Sequence, residues 1–243
     1  MNTAKKTMID IIHRMSDEKV MKLLSFAKFI ESENEIELLI SDEEESEIAD
    51  LLENNERVER VDGNIVLKTD RLDLQPLSES DFEFIQKLRT RPEYFKYEND
   101  GAYNDDEITK QFNGFLEGAK NLPNKGSVQW IVKSDDVKIG EVHLWCNWEK
   151  THEWEIGWHF LLEHWGKGFA TEAAKAVLQF AFANFHINRI MACPNAENTR
   201  SIALCERIGM IKEGYVREVR LLNGIYCDEV IFGILKREFT PAL

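Results

Sequence analysis

The spacing of hydrophobic positions along this 243-residue chain changes repeatedly, and each spacing predicts a different element. Alternation of apolar and polar residues indicates β-strands, whereas apolar residues three or four positions apart indicate amphipathic helices. Alternation over 128–133 and 137–145, on either side of the turn Ser134-Asp135-Asp136, predicts a β-hairpin. After the N-terminal segment, the whole order of predicted elements is β-α-α-β-β-β-α-β-α-β-β. That order predicts a mixed α/β domain.

The other elements of this domain follow from the same spacing and from the turn-forming residues between them. Strands are predicted over 65–77, 154–162 and 189–193, and helices over 78–88, 105–119, 171–184 and 199–208. A second hairpin is predicted over 213–222 and 225–235, because Asn223-Gly224 is a dipeptide that type I′ turns favour. We expect an irregular loop rich in aromatic residues over 94–104.

The N-terminal segment, residues 1–62, carries helical spacing and most of the acidic charge. Ser16 precedes a helical repeat of apolar residues, and residues 41–44 (SDEE) fit a capping box. We therefore predict an acidic helical N-terminal extension over 1–62 and a main domain over 63–243. The extension would be an accessory hairpin that packs on its host or on a second copy. The alternative is a regulatory or partner-binding module.

The net charge of −14 is concentrated in one segment and says little about the whole molecule. Residues 31–62 hold fourteen Asp and Glu against two Arg, whereas the rest of the chain has 28 basic and 30 acidic residues. A nucleic-acid-binding surface needs a basic patch, and the sequence contains none. A membrane-spanning helix needs an apolar run of about 18 residues, which is also missing. We expect neither a nucleic-acid partner nor a membrane partner.

The N-terminus and the cysteines indicate the compartment. The first residues, MNTAKKTMIDIIHRM, lack the apolar core and the cleavage site of a signal peptide, so we expect a cytoplasmic protein. Cys146, Cys193, Cys205 and Cys227 lie far apart and form no Cys-x-x-Cys or Cys/His cluster. We therefore expect no disulfides and no metal site, and buried thiols in a reducing compartment.

The stretch from Glu155 to Ala173 (EIGWHFLLEHWGKGFATEA) predicts a strand, a glycine-containing turn and a helix in direct succession. Such a junction presents unpaired backbone N–H groups at a helix N-terminus, where the helix dipole adds partial positive charge. It is therefore suited to bind a phosphate group. Gly166 and Gly168 would let a diphosphate approach the backbone, and Lys167 would add a charge at the rim. The spacing is neither that of a Walker A loop nor the dinucleotide-binding Gly-x-Gly-x-x-Gly.

Three motifs, in this order, resemble the Gcn5-related N-acetyltransferases (GNAT). They are the stretch just described, Asn198-x-x-Ser201, and the segment RIGM at 207–210. The resemblance covers roughly residues 64 to 239 and is greatest to the branch typified by ribosomal-protein N-terminal acetyltransferases (RimJ/RimL-like). It implies the GNAT fold, a mixed and mainly antiparallel sheet flanked by helices. It also implies an enzyme that transfers the acetyl group of acetyl-CoA directly to a primary amine.

The resemblance further implies how coenzyme A would be held. The strand that ends at Leu162 should separate from the strand that begins at Arg189, so that the pantetheine arm lies in the gap and the pyrophosphate on the glycine turn. Asn198 and Ser201 would hold the arm near the next helix, although an N-cap and a first-turn residue are alternatives for them. The cofactor-binding residues implied in this way are Phe160, Leu161, Leu162, Trp165, Gly166, Lys167, Gly168, Phe169, Ala170, Thr171, Asn198 and Ser201.

Acetyl transfer needs a neutral amine and a group that accepts its proton. Glu155 is our first candidate for the general base, because the resemblance implies a carboxylate just before Ile156-Gly157 that reaches the amine directly or through water. Gly157 could also form a β-bulge that aims this carboxylate. The alternative is an exposed strand glutamate. Glu141 is the second candidate, in a strand position where an outward-facing polar residue is the default. His143 and His159 are candidate relays.

The general acid that protonates the departing thiolate is less well defined by the resemblance. Many GNAT members use a tyrosine there, and this chain has Cys205 in its place. Ser201 or a water molecule could take that role, and a thiol could in principle donate a proton. The alternative for Cys205 is a small buried packing residue.

Three functions are compatible with the sequence. The first is acetylation of protein N-termini, including those of ribosomal proteins. The second is a small-molecule N-acetyltransferase for aminoglycosides or polyamines, for which we would expect a dense cluster of acids around the acceptor cleft. The third is a non-catalytic CoA-binding regulatory protein. The acceptor would be a protein N-terminus or a small molecule, and a homodimer is possible.

Overall fold

The computed structural model describes residues 58–61, 64–97, 105–122, 126–185, 187–222 and 224–240. The chain divides into two compact units, Met1–Glu59 and Arg60–Leu243. The predicted N-terminal helices and their capping box lie outside the described residues, and the domain organisation stays a prediction. Val58–Val61 forms strand β1, so the last residues of the segment expected to be helical are extended.

Strands and helices of the second unit follow the order expected from the sequence. The strands are β2 (Asn64–Lys68), β3 (Asp73–Pro76), β4 (Ser127–Ser134), β5 (Val137–Trp148), β6 (Glu153–Phe160), β7 (Arg189–Ala192), β8 (Ile211–Leu222) and β9 (Ile225–Leu235). The helices are α1 (Phe82–Arg89), α2 (Pro92–Phe95), α3 (Asp105–Gly118), α4 (Phe169–Asn184) and α5 (Thr199–Arg207). Among the described residues, no helix is long and apolar enough to cross a membrane.

The one-turn helix α2 lies where an irregular loop was expected. Pro92 stands in its first turn, where the fixed φ of proline suits a helix and its missing N–H costs no hydrogen bond. The two predicted hairpins, β4–β5 and β8–β9, are confirmed. At the first, Asp135 and Asp136 both have positive φ, 48° and 64°, as a type I′ turn requires.

The strands lie in the order β1-β2-β3-β4-β5-β6-β7-β9-β8 in the described part of the chain. From β2 onward, neighbouring strands are antiparallel except β6 and β7, which are parallel. The sheet is therefore mixed and mainly antiparallel, as expected. In the described sheet from β2 onward, the parallel contact is the one between β6 and β7.

β6 and β7 separate soon after they meet. The paired residues are Glu153 with Arg189, Trp154 with Ile190, and Glu155 with Met191. Beyond them β6 continues to Phe160 along β5, whereas β7 pairs only with β9 in the described sheet. A gap therefore opens between two adjacent strands, as the resemblance implied. The backbone of β6 from Ile156 onward borders it on one side.

Helices cover both faces of the central strands. On one face, Trp130 packs edge-on against Phe180 of α4 with ring centroids 5.9 Å apart, and Trp154 packs against Phe185 at 5.5 Å. On the other face, a cluster joins α1, α3 and β4; it consists of Ile85, Ile108, Phe112 and Ile131. Each large apolar side chain buried in this way stabilises the fold by about 1.5–3 kcal/mol. Polar residues on either face of these strands are consequently buried and need partners.

We propose that the second unit folds without the first. A chain that begins at Val58 should unfold in one cooperative transition, followed by circular dichroism in urea, because the apolar clusters described above lie entirely within it. A second truncation, which begins at Asn64, tests whether β1 contributes to stability. Loss of cooperative unfolding in the longer of the two chains would show that the boundary lies elsewhere.

Candidate active site

A cleft of about 840 Å³ is lined by α1, α2, the end of β6, the turn that follows it, the first turn of α4, and α5. Ten of the predicted cofactor-binding residues line it: Phe160, Leu162, Trp165, Gly166, Gly168, Phe169, Ala170, Thr171, Asn198 and Ser201. Leu161 is buried beneath the turn, and neither it nor Lys167 contributes to the lining. The glycine turn predicted from the sequence therefore forms one wall of the cleft.

Two glycines shape the turn after β6. Gly166 and Gly168 have φ angles of 76° and 82°, in the left-handed region that other residues occupy at a cost of about 1–2 kcal/mol. Gly168 is the N-cap of α4 and has no side chain to accept from the helix amides. The first amides of α4, from Phe169 to Thr171, lack intrahelical acceptors and lie at the positive end of the helix dipole. This wall is suited to bind the phosphate groups of a ligand.

The loop between β2 and β3 braces the turn. Thr69 Oγ1 donates to Glu172 Oε1 at 2.6 Å, and Arg71 Nη2 pairs with Glu172 Oε2 at 2.5 Å. Arg71 also donates to the Lys167 carbonyl at 3.1 Å, and its guanidinium lies 4.9 Å from the centroid of the Phe169 ring. Glu172 stands in the first turn of α4, where its charge would oppose a bound anion. Arg71 offsets that charge.

Basic side chains outnumber acidic ones in the lining of the cleft, and none of them was predicted. They are Arg91, Lys96, Arg200 and Arg207, with Glu93 as the acid. Arg200 lies 4.8 Å from the centroid of the Trp165 ring, and Arg207 Nε donates to Thr171 Oγ1 at 3.3 Å. Arg200 and Arg207 are seven residues apart on α5, two helical turns, so the sequence does place them on one face. Their charge favours a phosphate-bearing ligand.

Asn198 and Ser201 form the N-terminal cap of α5. Asn198 Oδ1 accepts a hydrogen bond from the Ser201 amide at 3.1 Å, and Trp158 Nε1 donates to Ser201 Oγ at 3.4 Å. Asn198 is therefore the N-cap of α5, the structural role given above as its alternative. Asn198 and Ser201 nevertheless both line the cleft. The cap fixes the Ser201 hydroxyl beside Trp158 of β6.

Glu141 is buried, which corrects the outward-facing position expected for it. Its side chain is 0% exposed; Arg89 Nη2 lies 3.3 Å and His159 Nδ1 2.9 Å from its Oε1, and Gln129 donates to its Oε2. Burial by itself raises the pKa of this carboxyl, but the Arg89 guanidinium and the His159 contact outweigh it and bring the pKa to about 2. Glu141 is therefore ionised at neutral pH. So acidic a group is a poor acceptor for the proton of an amine.

His143 and His159 share the face of the sheet on which Glu141 lies. The β5–β6 ladder places Glu141 opposite His159, and His143 opposite Gly157. A Cβ at Gly157 would lie 2.3 Å from His143 Nε2, so the glycine makes room for the imidazole. The prediction of a β-bulge at Gly157 is wrong, because the pairing register of β5 and β6 is continuous there. The register shifts instead between Cys146 and Trp148, near the end of β5.

Glu155 is the last residue of β6 that pairs with β7, and it does not line the cleft. It lies opposite Trp145, on the same sheet face as Glu141. Burial, followed by the charge of Glu155, raises the pKa of the Cys193 thiol to about 12. Its role as general base stays a prediction.

Cys205 is fully buried in α5 and does not line the cleft. Burial raises the pKa of its thiol to about 12. An unperturbed thiol has a pKa of about 8.5, so Cys205 would be a poor proton donor to a departing thiolate. The geometry supports the packing role for Cys205, and Ser201, in the cleft wall, is better placed to donate.

Glu141, His143 and His159 each bring one ligand atom within 4.8 Å of the others, a spacing that a metal ion could bridge. The same carboxylate, however, faces the Arg89 guanidinium at 3.3 Å and accepts from Gln129. A fixed cation at that distance opposes a second one. The cluster is therefore organised around Glu141 as a hydrogen-bond acceptor.

Comparisons with known proteins agree with this geometry. The chain matches the acetyltransferase (GNAT) domain family over residues 71–211. It is 31% identical over 177 residues to the uncharacterized N-acetyltransferase p20 of Bacillus licheniformis, which covers 72% of this chain and 98% of that relative. It is 33% identical over 136 residues to the ribosomal protein uS5 alanine N-acetyltransferase of Escherichia coli (strain K12), which covers 56% of this chain and 64% of that relative.

A solved structure of similar fold is the spermidine N-acetyltransferase of Vibrio cholerae in complex with CoA and spermine. It has a TM-score of 0.62 and 25% sequence identity, and the match covers 70% of this chain and 98% of that one. The similarity confirms the expected fold class.

Two glycines with the same backbone conformation test the role of the turn. Gly166 and Gly224 have φ angles of 76° and 78°, and a Cβ at either would meet no described atom within 4 Å. Gly166→Val and Gly224→Val should therefore each cost about 1–2 kcal/mol of stability. Only Gly166→Val should weaken acetyl-CoA binding, by about tenfold or more in calorimetric titration. Equal affinities in the two variants would contradict a phosphate site at this turn.

The ionisation of Glu141 predicts how stability depends on pH. Its pKa in the folded protein, about 2, lies below the ordinary value of 4.5, so the unfolded state binds more protons between these values. The contribution of this pair to stability is complete above pH 4.5 and is lost as the pH falls toward 2, about 3 kcal/mol in all. Urea unfolding across that range should show this loss in the native chain. The double variant Arg89→Met/Glu141→Gln should lack this part of the loss in the free energy of unfolding. If the native chain and the double variant showed the same dependence on pH, the Glu141 carboxyl would not be held ionised.

Proposed function

This chain belongs to the GNAT acetyltransferase family, and from that premise we propose that its acceptor is the N-terminal amine of a protein, as in ribosomal-protein acetyltransferases. As a member of this family, the chain is an N-acetyltransferase that uses acetyl-CoA. The proposal concerns the class of acceptor, and two kinds of evidence support it: the charges around the cleft and the relatives.

The observation that carries the proposal is the cleft along the separated end of β6. Gly166, Gly168 and the first amides of α4 offer donors to a pyrophosphate, and Arg200 and Arg207 add positive charge beside them. Beyond Glu155, the described sheet gives the backbone of β6 no strand partner on the side of β7, so its polar groups there are suited to pair with the amides of a pantetheine arm. These residues fit coenzyme A.

The charges that line the cleft favour a peptide amine over a polycation. The described lining contains four Arg and Lys side chains, Arg91, Lys96, Arg200 and Arg207, against one carboxylate, Glu93. A polyamine site needs acids that complement the charge of its ligand. The relative from Escherichia coli, an alanine N-acetyltransferase of ribosomal protein uS5, also has the higher identity, 33% against 25% for the spermidine enzyme. A polyamine is the second candidate, because that spermidine enzyme has a similar fold.

Acetyl-CoA supplies an activated thioester, which the chain has to hold beside a neutral amine. The glycine turn and the N-terminus of α4 would anchor the phosphate end. Ser201, fixed by Asn198 and Trp158, would donate to the departing sulfur. Positioning of this kind can account for a large part of the rate, about 7–11 kcal/mol of the barrier in well-oriented systems.

Calorimetric titration with acetyl-CoA, followed by acetyl transfer to a panel of amines, tests the proposal. The panel contains short peptides with N-terminal alanine or serine, the same peptides with blocked N-termini, spermidine, and an aminoglycoside. We expect micromolar binding and turnover of the unblocked peptides only. Turnover of spermidine in preference to peptides would move the acceptor to the second class. Binding without turnover of any amine would contradict the proposed acceptor while leaving the cofactor site intact.

A further inference from the structure

His159 lines the cleft and also contacts the buried carboxylate of Glu141. Within the described cluster of Glu141, His143 and His159, it is the member that lines the cleft. Its Nδ1 lies 2.9 Å from Glu141 Oε1, and its ring centroid lies 4.3 Å from that of Tyr94, another cleft residue. The imidazole therefore connects a fully buried carboxylate to the space in which the ligands bind.

Glu141 determines which nitrogen of His159 carries the proton. The Arg89 guanidinium keeps the carboxylate ionised, and an ionised carboxylate only accepts hydrogen bonds. Nδ1 of His159 must then be the donor, so in the neutral imidazole Nε2 is the acceptor. Proton transfer between this ring and the cleft runs through Nε2.

The surroundings hold the imidazole in place. The His143 ring stacks on it with centroids 5.7 Å apart and on Trp145 at 5.1 Å. Arg89 is anchored in turn by Gln111 of α3, to which it donates at 2.7 Å. A group positioned in this way needs little reorganisation when a proton arrives.

We propose that His159 is the catalytic residue that accepts a proton from the acceptor amine, and that Glu141, held by Arg89, is its positioning residue. This inference deepens the proposed function and rests on it. As the amine nitrogen bonds to the acetyl carbon, the bond from that carbon to sulfur breaks and its electron pair stays on sulfur. One proton leaves the nitrogen for His159 Nε2, and the sulfur takes up one proton from the Ser201 hydroxyl. The imidazolium then releases its proton to solvent, and the Ser201 oxygen takes up one proton from solvent, so that the enzyme returns to its starting state.

The contacts described for this imidazole involve charged and titratable groups of three elements. They are Glu141 and His143 of β5, Tyr94 of α2 and, through the carboxylate, Arg89 of α1. Among these, the contact between Glu141 and His159 is the hydrogen bond on which the tautomer depends.

A matched pair of variants separates the chemical role from a structural one. In His159→Asn the amide occupies the position of Nδ1 and can still donate to Glu141, but nothing replaces Nε2. We expect kcat to fall about 100-fold or more, with acetyl-CoA affinity unchanged in calorimetry. The control is His152→Asn, outside the cleft at a φ of 53° that asparagine adopts readily, and it should keep full activity.

The positioning role of Glu141 has its own readout. In Arg89→Met/Glu141→Gln the imidazolium form of His159 loses its counter-charge without a charge being left buried. The acidic limb of the kcat/KM profile should therefore move to lower pH, while the affinity for acetyl-CoA stays the same. A purely structural role would lower stability and leave that limb in place, which would overturn the assignment of Glu141.

The tautomer can be measured without any acceptor. Nitrogen-15 NMR of histidine-labelled full-length protein, with and without acetyl-CoA, should show His159 protonated at Nδ1 near neutral pH. Protonation at Nε2 would overturn the inference whichever amine the enzyme uses. Full turnover in His159→Asn combined with a loss in Glu155→Gln would also overturn it and leave the proposed acceptor standing. Failure of the whole amine panel would instead reject the acceptor, and the tautomer would still decide the inference.

Discussion

The site depends on one feature of the backbone: the pairing between β6 and β7 ends after Glu155 and Met191. Up to that point each strand satisfies polar groups of the other. Beyond it, β6 pairs with β5 and β7 with β9, so in the described sheet each has one side without a strand partner. Buried backbone groups without partners are costly, and a ligand with amides of its own can supply them. The cleft follows from this separation, and the glycine turn lies at its end.

The ion pair between Arg89 and Glu141 is better explained by chemistry than by stability. Both side chains are almost completely buried, at 1% and 0% exposure. Removing two charges from water offsets most of their attraction, so apolar residues of the same volume would hold α1 on the sheet as well or better. What apolar residues could not do is keep an anion next to a histidine of the cleft. Such clusters of perturbed ionisable groups are typical of functional sites.

Features that depend on neighbouring residues were predictable from the sequence, and those that depend on distant elements were not. The hairpin turns, the helix α4 and the glycine turn each depend on a few consecutive residues. Glu141 was misplaced because alternation along β5 does not reveal that helices cover both faces, and its partner Arg89 is 52 residues away. Gly157 was misinterpreted for the same reason. The side chain that needs its space, His143, comes from the adjacent strand.

The cofactor site and the proposed acceptor site depend on different kinds of groups in this chain. In the proposed reaction the cofactor is held by backbone amides at a turn that the glycines at 166 and 168 shape. The proposed acceptor site uses side chains such as Tyr94 and His159, which come from separate elements. One phosphate-binding turn is therefore compatible with relatives that acetylate an alanine N-terminus and with one that acetylates spermidine. The substrate of this enzyme has to be argued from the side chains around β5, β6 and α2, because the motif that identifies the family lies on the cofactor side.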